Sequence, residues 1–432
     1  MTIVIRDAVA VLVDPAGREG GTRAGDVIVD DGRAEELTID ATGCVVTPGL
    51  VNAHHHLLQS GFRSLPETRG VPMAQWLPAM AAAYDAAGID PELCAATAAV
   101  GIAEGLLCGV TTVADHQLNW PRDASVATTV EIAHAVAGAS EGLGARLVFV
   151  RGAARDDPAW AGASADAIAS ALVPHGGVTA DGSLQVAVGP AGVHSDGRPT
   201  FDALAQVARD HGLRRRTQAN EKVDVDIAAE RYGVRPLDLL EEWGWLAPDV
   251  TLAHLVEVTD DEIARLAATG VTGTHAPGCD VPMGWGIAPV HALHQAGVTV
   301  GLGTSGGGSN DAGHLLADAR LAMQVSALAG PQLAARDVLA MATTGSAAGL
   351  GRPELGHLGP GSAGDLCVWD VSGIADAGVA DPVAGLLWAA PGRRPRDVVV
   401  GGRTVVADGL LTTADERSLV TGLNRLLSAR AG

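Results

Sequence analysis

From about residue 49 onward the chain repeats one pattern, in which four to seven apolar residues end in a polar or glycine-rich break and alternate with stretches of helical spacing. "ELCAATAAVGIAEGLLCG" is followed by "VTTVAD", and "LGARLVFVRG", "LQVAVGP", "DVTLAHL", "GVTGTHAP" and "GVTVGLGT" come after it in turn. Short continuous apolar runs with polar ends are the pattern of parallel strands buried on both faces, and helices between them supply the crossovers. About eight such units fit a (β/α)8 TIM-type barrel. An open doubly wound sheet fits less well, because no GxGxxG follows the first strand. The chain ends read differently. "IVIRDAVAVLVD" and "DVIVDDG" near the start, and "GDLCVWDV" and "DVVVGGRTVVADGLLTT" near the end, are β-branched runs cut by Gly and Asp turns. The expected organisation is α/β, with residues 1–48 and 356–432 joining in a small β-sandwich, a closing helix in "ADERSLVTGLNRLLSARA", and residues 49–355 forming the barrel.

A barrel places its chemistry at the C-terminal ends of its strands. The polar residues at those ends are His54, His55 and His56, then His116, His194, Gln218, Asn220, Glu221, His254, His275, Ser305, Asn310 and Asp311. In "HHH" the period of two turns His54 and His56 to one side and His55 to the other. Two converging imidazoles are half of a metal site.

Composition narrows the function. With 432 residues and 47% hydrophobic content, the chain buries a large core, and its formal charge of −21 disfavours nucleic acid and anionic membranes as partners. No basic leader with a cleavage site opens it and no run of 18 apolar residues interrupts it, so a cytoplasmic location is expected. The five cysteines lack a CxxC pair and read as reduced thiols. Lys222 is the only lysine, in a chain whose other basic residues are arginine.

"TPGLVNAHHHLLQ", "GVTTVADH", "TLAHLVEVTDDEI", "GIAPVHALHQAGVTVGLGT", "GGSND" and "LGPGSAGDLCVWD" together resemble the aminohydrolase branch of the amidohydrolase superfamily, nearest to 8-oxoguanine deaminases and triazine hydrolases. The resemblance runs along nearly the whole chain. It implies a metal-containing barrel with a small β-domain from both chain ends, and a homo-oligomer. It also implies that His54 and His56 ligate a divalent metal, that Glu221 shuttles protons, and that His254 contacts substrate or water. Two positions depart from the family. Gln218 stands where "HxxE" begins with a ligating histidine, and Ser305 stands where the last strand carries an aspartate that is both ligand and base. An amide oxygen and a hydroxyl replace imidazole and carboxylate poorly, so zinc or iron is expected to be held weakly, and to be absent more often than present.

The remaining candidates carry two readings each. Gln59, Arg63 and Trp76 match positions that line the substrate pocket of the family, with Gln59 and Arg63 able to grip a ring carbonyl or anionic edge. His116, His194 and Gln218 are counted as further substrate contacts, and His275 and Ser305 as catalytic candidates. Lys222 is either a solvated loop lysine or a cation that stabilises charge on a heterocycle. Cys279 in "HAPGCD" reads as a buried thiol rather than a nucleophile. Arg214, Arg215 and Arg216 read as a helix end or surface run, one of them replacing a histidine of the related proteins. Asp311 and Asp115 are carboxylates near enough in sequence to compensate for Ser305, but Asp311 reads better as the cap of a helix in "DAGHLLADARLAMQV". Three functions compete. The first is hydrolytic C–N cleavage on a purine, pterin or triazine. The second is a metal-independent elimination, isomerisation or cyclisation using Glu221, His254 and His275, with Lys222 as a further candidate. The third is a non-catalytic ligand binder.

Overall fold

The computed structural model describes residues 2–17, 21–30 and 36–430. Asp31 and Gly32 of the turn read in "DVIVDDG", and Ala431 of the terminal helix, lie outside the described residues. Eight parallel strands form the barrel: β1 (Leu50–His56), β2 (Val110–Gln117), β3 (Arg146–Ala153), β4 (Leu184–Pro190), β5 (Arg214–Ala219), β6 (Val250–His254), β7 (Thr272–His275) and β8 (Val300–Leu302). Each pairs with the next in sequence order. The ring closes because β8 is interrupted: Val300–Leu302 pairs with β7, while its continuation Ser305–Gly306 pairs with β1.

The seam at that interruption is stitched by side chains. Asn52 Nδ2 donates to Thr304 Oγ1 at 2.8 Å, and its Oδ1 accepts from the Thr304 amide at 3.2 Å, supplying bonds that a continuous ladder would have made. Gly303 must be glycine here, since a Cβ would lie 2.7 Å from the Cβ of His54. Helices cover the barrel, and several start on side-chain caps read easily from sequence, among them Asp90, Ser125, Asp157 and the Thr259–Glu262 capping box.

Both chain ends build one eight-stranded sheet. The long strand Thr2–Leu12 is shared between its halves: residues 2–6 pair with Glu36–Asp40, and Ala10 and Val11 pair with Cys44–Pro48. Cys44–Pro48 then pairs with Leu366–Asp370, joining the N-terminal part to the C-terminal part. Ile3, Ile5, Val27, Val29, Val46, Val368 and Val399 form a separate apolar cluster inside it. Arg146, at the start of β3, fixes the barrel to this sheet through a buried two-pronged pair with Asp365, at 2.8 and 2.9 Å. The terminal helix Glu416–Arg430 is held back on the barrel by Arg430, which reaches Asp90 at 2.8 Å and Glu92 at 3.0 Å. Among the described residues no single helix is long and apolar enough to cross a membrane.

Candidate active site

At the C-terminal end of β1 all three histidines are buried, and the alternation of the strand separates their roles. His55 turns away from the lumen, and its Nδ1 lies 2.9 Å from Thr304 Oγ1 and against the Ser305 carbonyl. Burial drives its pKa down to about 3, so it is a neutral clamp between the first and last strands. His54 and His56 face inward with ring centroids 4.8 Å apart. The Nδ1–H of His56 donates to the His116 carbonyl at 2.8 Å, which leaves its Nε2 as a lone pair on the cavity. His54 Nε2 is buried without any partner. Burial, followed by the neighbouring imidazoles, pushes His54 well below its usual range, and burial takes His56 down to about 4.

His254 stands opposite, its ring 5.2 Å from that of His54. Its Nδ1 is bound to Asp280 Oδ1 at 2.6 Å, and Nε2 points inward at 3.2 Å from Gln218 Oε1 and 3.5 Å from Glu221 Oε1. With Nδ1 protonated toward Asp280, a neutral His254 presents a lone pair to two acceptor oxygens. That contact requires a second proton on the ring, a reversed Gln218 amide, or a cation in the gap. Burial opposes the imidazolium, yet Asp280 and Glu221 outweigh it and raise the pKa of His254.

Glu221 is 1% exposed and neither of its carboxylate oxygens has a hydrogen-bond partner. Burial raises its pKa, opposed by His254 and His194. The turn that presents it is held open: Asn220, with a left-handed φ of 56°, donates its amide to Asp224 Oδ2 at 2.9 Å and its side-chain Nδ2 to the Glu257 carbonyl at 3.0 Å. Non-glycine residues in this conformation concentrate at functional sites, and His254 and Ser305 share it with φ of 76° and 55°. Asp224 also accepts from the backbone amide of His194 and pairs with its Nδ1, both at 3.2 Å.

These strand ends floor a cavity of about 560 Å³. His56, His194, Gln218 and Ser305 line its base, and Trp76, Met80, Met283 and Trp285 are among its walls. Such a size and mixture of apolar wall and few polar groups suits a small organic molecule. Gln59 lines it too, with Oε1 accepting from the Gly308 amide at 3.0 Å, and Trp76 donates its indole N–H to the Gly308 carbonyl at 3.0 Å.

Other candidates lie elsewhere. Arg63 pairs with Glu104 at 2.5 Å and is not among the cavity residues, because the guanidinium is drawn to that carboxylate. Lys222 has its side chain 54% exposed, near Glu257 and Asp226 at 3.8 and 4.0 Å, which corresponds to a solvated lysine. His275 is buried beside Asp280 at 3.7 Å without a hydrogen bond from Nδ1, its pKa lowered to about 4 by burial. His116 spends its Nε2–H on the Gly189 carbonyl at 2.9 Å. Cys279 is a buried wall residue whose thiol is pushed up by burial. Asp115 is buried and accepts from the Leu57 amide at 2.8 Å, with burial raising its pKa to about 7.

The helix cap expected at Asp311 is corrected: the helix is Leu315–Ser326 and His314 caps it. Asp311 instead forms an ion pair with Arg69, whose guanidinium also donates to the Gly308 carbonyl at 2.6 Å. The arginine run is likewise not a simple surface feature. Arg215 pairs with Asp249 at 2.7 Å and lies over Trp245, but Arg216 is 3% exposed and points into the barrel. Sequence reading also passed over Asp280 and Asp224, both fully buried carboxylates. The only sequence signal for them was a carboxylate close after a strand-end histidine or glutamate.

The hydrogen bonds of the strand-end histidines decide whether they can hold a divalent cation. His54 Nε2 is buried without a partner and His56 Nε2 is left free by the bond from Nδ1, while His254 Nε2 lies against the Gln218 and Glu221 oxygens. Two free imidazole nitrogens are fewer than the three protein ligands of a zinc site, so these residues as placed do not complete one. Among the described residues, His254, Cys279 and Asp280 are the group that brings ligand atoms within 4.8 Å of one another, but Asp280 Oδ1 is already committed to the His254 ring.

The chain matches the Amidohydrolase family model over residues 45–405. It is 33% identical over 424 residues to 8-oxoguanine deaminase from Pseudomonas aeruginosa, covering 92% of this chain and 93% of that one. It is also 33% identical to 5-methylthioadenosine/S-adenosylhomocysteine deaminase from Natronomonas pharaonis, covering 91% and 89%. Among solved structures, atrazine chlorohydrolase from Arthrobacter aurescens, complexed with zinc, superposes with a TM-score of 0.90 at 32% identity over 98% of this chain and 100% of that one. Barrel, end-built sheet, strand-end histidines and sequence similarity agree, and the chain belongs to the amidohydrolase family.

Proposed function

We propose that this amidohydrolase-family chain hydrolyses an exocyclic C–N bond on an amino-substituted nitrogen heterocycle of purine, pterin or triazine type, releasing ammonia or an amine. The observation that carries the reading is Glu221: a buried carboxyl without a hydrogen-bond partner, 3.5 Å from His254 Nε2, whose other neighbour, Gln218, lines a cavity sized for such a ring. His54 and His56 are the histidines that would face a divalent metal, zinc being the ion bound in the Arthrobacter relative.

The chain's own groups do the rest. Glu221, with its pKa raised by burial, takes the proton from the attacking water and returns it to the ring nitrogen or the leaving amine. His254, oriented by Asp280, stabilises the oxygen that develops negative charge. His194, its Nδ1 on Asp224, turns its other ring nitrogen to the substrate, and the Gln218 amide reads the ring edge. Gln59 and Trp76 fix the glycine loop that forms one side of the cavity. With Ser305 in place of an aspartate, Glu221 serves both proton-transfer steps.

The test is metal content of untagged protein by plasma emission, with ammonia release across aminopurines, aminopterins and amino-triazines. Glu221→Gln is expected to cut turnover about 10²–10⁴-fold while leaving ligand binding in place. Zinc-loaded protein that releases no ammonia from any of these ring classes would remove the proposal. Turnover undiminished in Glu221→Gln would remove the assigned mechanism.

A further inference from the structure

The chemistry at the floor of the cavity leaves its rim unused. The exposed lining residues are Ala74, Leu77, Pro78 and Ala81 of the helix Met73–Ala87, and Arg155 in the loop after β3. Arg155 is the one Arg or Lys of the lining, and among the described residues no carboxylate lines the cavity. Its guanidinium has neither a hydrogen bond nor an ion pair among the described residues, while its backbone amide is fixed to the buried Asp196 at 3.2 Å. The carboxylates closest to it in the chain are engaged elsewhere. Asp156 holds Arg151 at 3.0 Å, Asp157 caps the helix Pro158–Leu172 through the Trp160 amide at 2.9 Å, and Asp196 also accepts from the Ser195 hydroxyl. Glu221, Asp224 and Asp280 are buried against the floor imidazoles of His254 and His194. Arg155 also carries a left-handed φ of 66°, a conformation that costs a non-glycine residue and that persists where its surroundings hold it, typically at ligand clamps.

We propose that Arg155 binds a carboxylate carried on an arm of the substrate, so that the heterocycles this chain hydrolyses are acidic side-chain derivatives and not bare rings. The inference rests on the heterocycle-hydrolase reading above and names the substrate class of that same site. A cavity of about 560 Å³ suits a molecule of drug size, which leaves room beyond a ring seated on the polar floor. The arm then runs along the apolar wall built by the helix Met73–Ala87 and by Val223, Ile227 and Met283, and Arg155 meets its end. A guanidinium fork matches a carboxylate through two parallel charge-assisted bonds. A phosphate dianion would call for more charge, and the lining holds no second Arg or Lys to supply it. With a formal charge of −21 on the chain and Asp156, Asp157 and Asp196 close by, long-range steering contributes little; the selectivity comes from direct pairing at the rim.

The test uses matched pairs that share a ring and an amino group and differ in the charge on the arm: guaninylacetate and ethylguanine, pterinylacetate and ethylpterin, carboxymethylamino-triazine and ethylamino-triazine. Kd is measured by calorimetry on full-length Glu221→Gln, alone and combined with Arg155→Met or Arg155→Lys, and kcat/KM is measured for wild type and the two Arg155 variants. In at least one ring class the carboxylate is expected to be preferred about tenfold over its neutral partner. That ratio is expected to fall to about one in Arg155→Met and to survive in part in Arg155→Lys, whose ammonium keeps the charge and loses the fork. Added salt should shrink it in the Arg155 protein, since the residue is exposed. Methionine meets the same backbone conformation without glycine's freedom, and the ratio cancels any effect common to both members of a pair. The proposal is overturned if every ring that binds does so as well or better in its neutral form, or if Arg155→Met keeps the preference for the carboxylate. Neither binding nor ammonia from any member of the three pairs, charged or neutral, sinks instead the heterocycle reading on which it rests.

Discussion

Replacing Asp115 with Asn is expected to stabilise the protein in a pH-dependent way that can be worked out from the structure. Asp115 sits on β2 with no exposure, one oxygen accepting from the Leu57 amide at 2.8 Å and the other without a partner. Burial raises its pKa from 3.8 to about 7. Because the folded state holds this proton more tightly than the unfolded chain does, the favourable contribution is complete below pH 3.8 and is lost as pH rises to about 7. At about 1.36 kcal/mol per pH unit, the full loss is about 4 kcal/mol at pH 8, of which roughly a third has already gone by pH 5. Asn keeps an acceptor for Leu57 and has nothing to ionise, so it escapes this loss.

The quantity to measure is the difference in Tm between Asp115→Asn and wild type at pH 5 and at pH 8. Unfolding entropy of about 2.1 cal/mol/K per residue makes 1 kcal/mol correspond to about 1 °C in a chain of 432 residues. The difference is therefore expected to grow in favour of the variant by about 3 °C between the two pH values. Any constant effect of the amide on packing cancels in that comparison. A difference that stays level across the range, or shrinks toward pH 8, would refute the reasoning, since it would mean that the carboxyl ionises without opposition from its surroundings.

Other consequences are simpler. Asp280→Asn removes the charge that orients His254 and raises its pKa, so kcat is expected to fall about 10²–10³-fold, with KM changed only a few-fold. The limb of the pH profile set by His254 should move to lower pH in that variant, and an unmoved limb would show that Asp280 is only structural. Asp365→Ala leaves Arg146 buried and unpaired at the junction of barrel and end-built sheet, and is expected to cost about 3–5 kcal/mol, read as a lower Tm at pH 7. A loss below about 1 kcal/mol would mean that this junction contributes little to holding the two parts together.

The parts of this molecule that sequence made legible are those governed by a period. Parallel strands buried on both faces leave apolar runs, and an inward row separates His54 and His56 from His55, so barrel and histidine pair follow from spacing. What was not legible depends on which strand-end loops meet. Asp280 follows β7 by only a few residues, yet its partner is on β6; Asp224 is one turn into a helix, yet it binds a histidine from the loop after β4. The stretch "GGGS" reads as flexible, but a Cβ on Gly306 would lie 2.0 Å from Gln59 Oε1 and one on Gly308 would lie 2.5 Å from Met80. Here glycine permits close approach, and the loop is pinned by Gln59, Trp76 and Arg69.

The same distinction explains why β5 was misread. "RRRTQ" looks like a polar run because composition gives arginine a surface place, whereas strand alternation assigns Arg214, Arg216 and Gln218 to one face and Arg215 to the other. Arg215 is the residue that behaves as the composition suggests, paired with Asp249 on the outside. Once β5 is accepted as a barrel strand, the row that carries Gln218 must carry Arg216 beneath it. Period two therefore puts a charge in the lumen where hydrophobicity alone would put none.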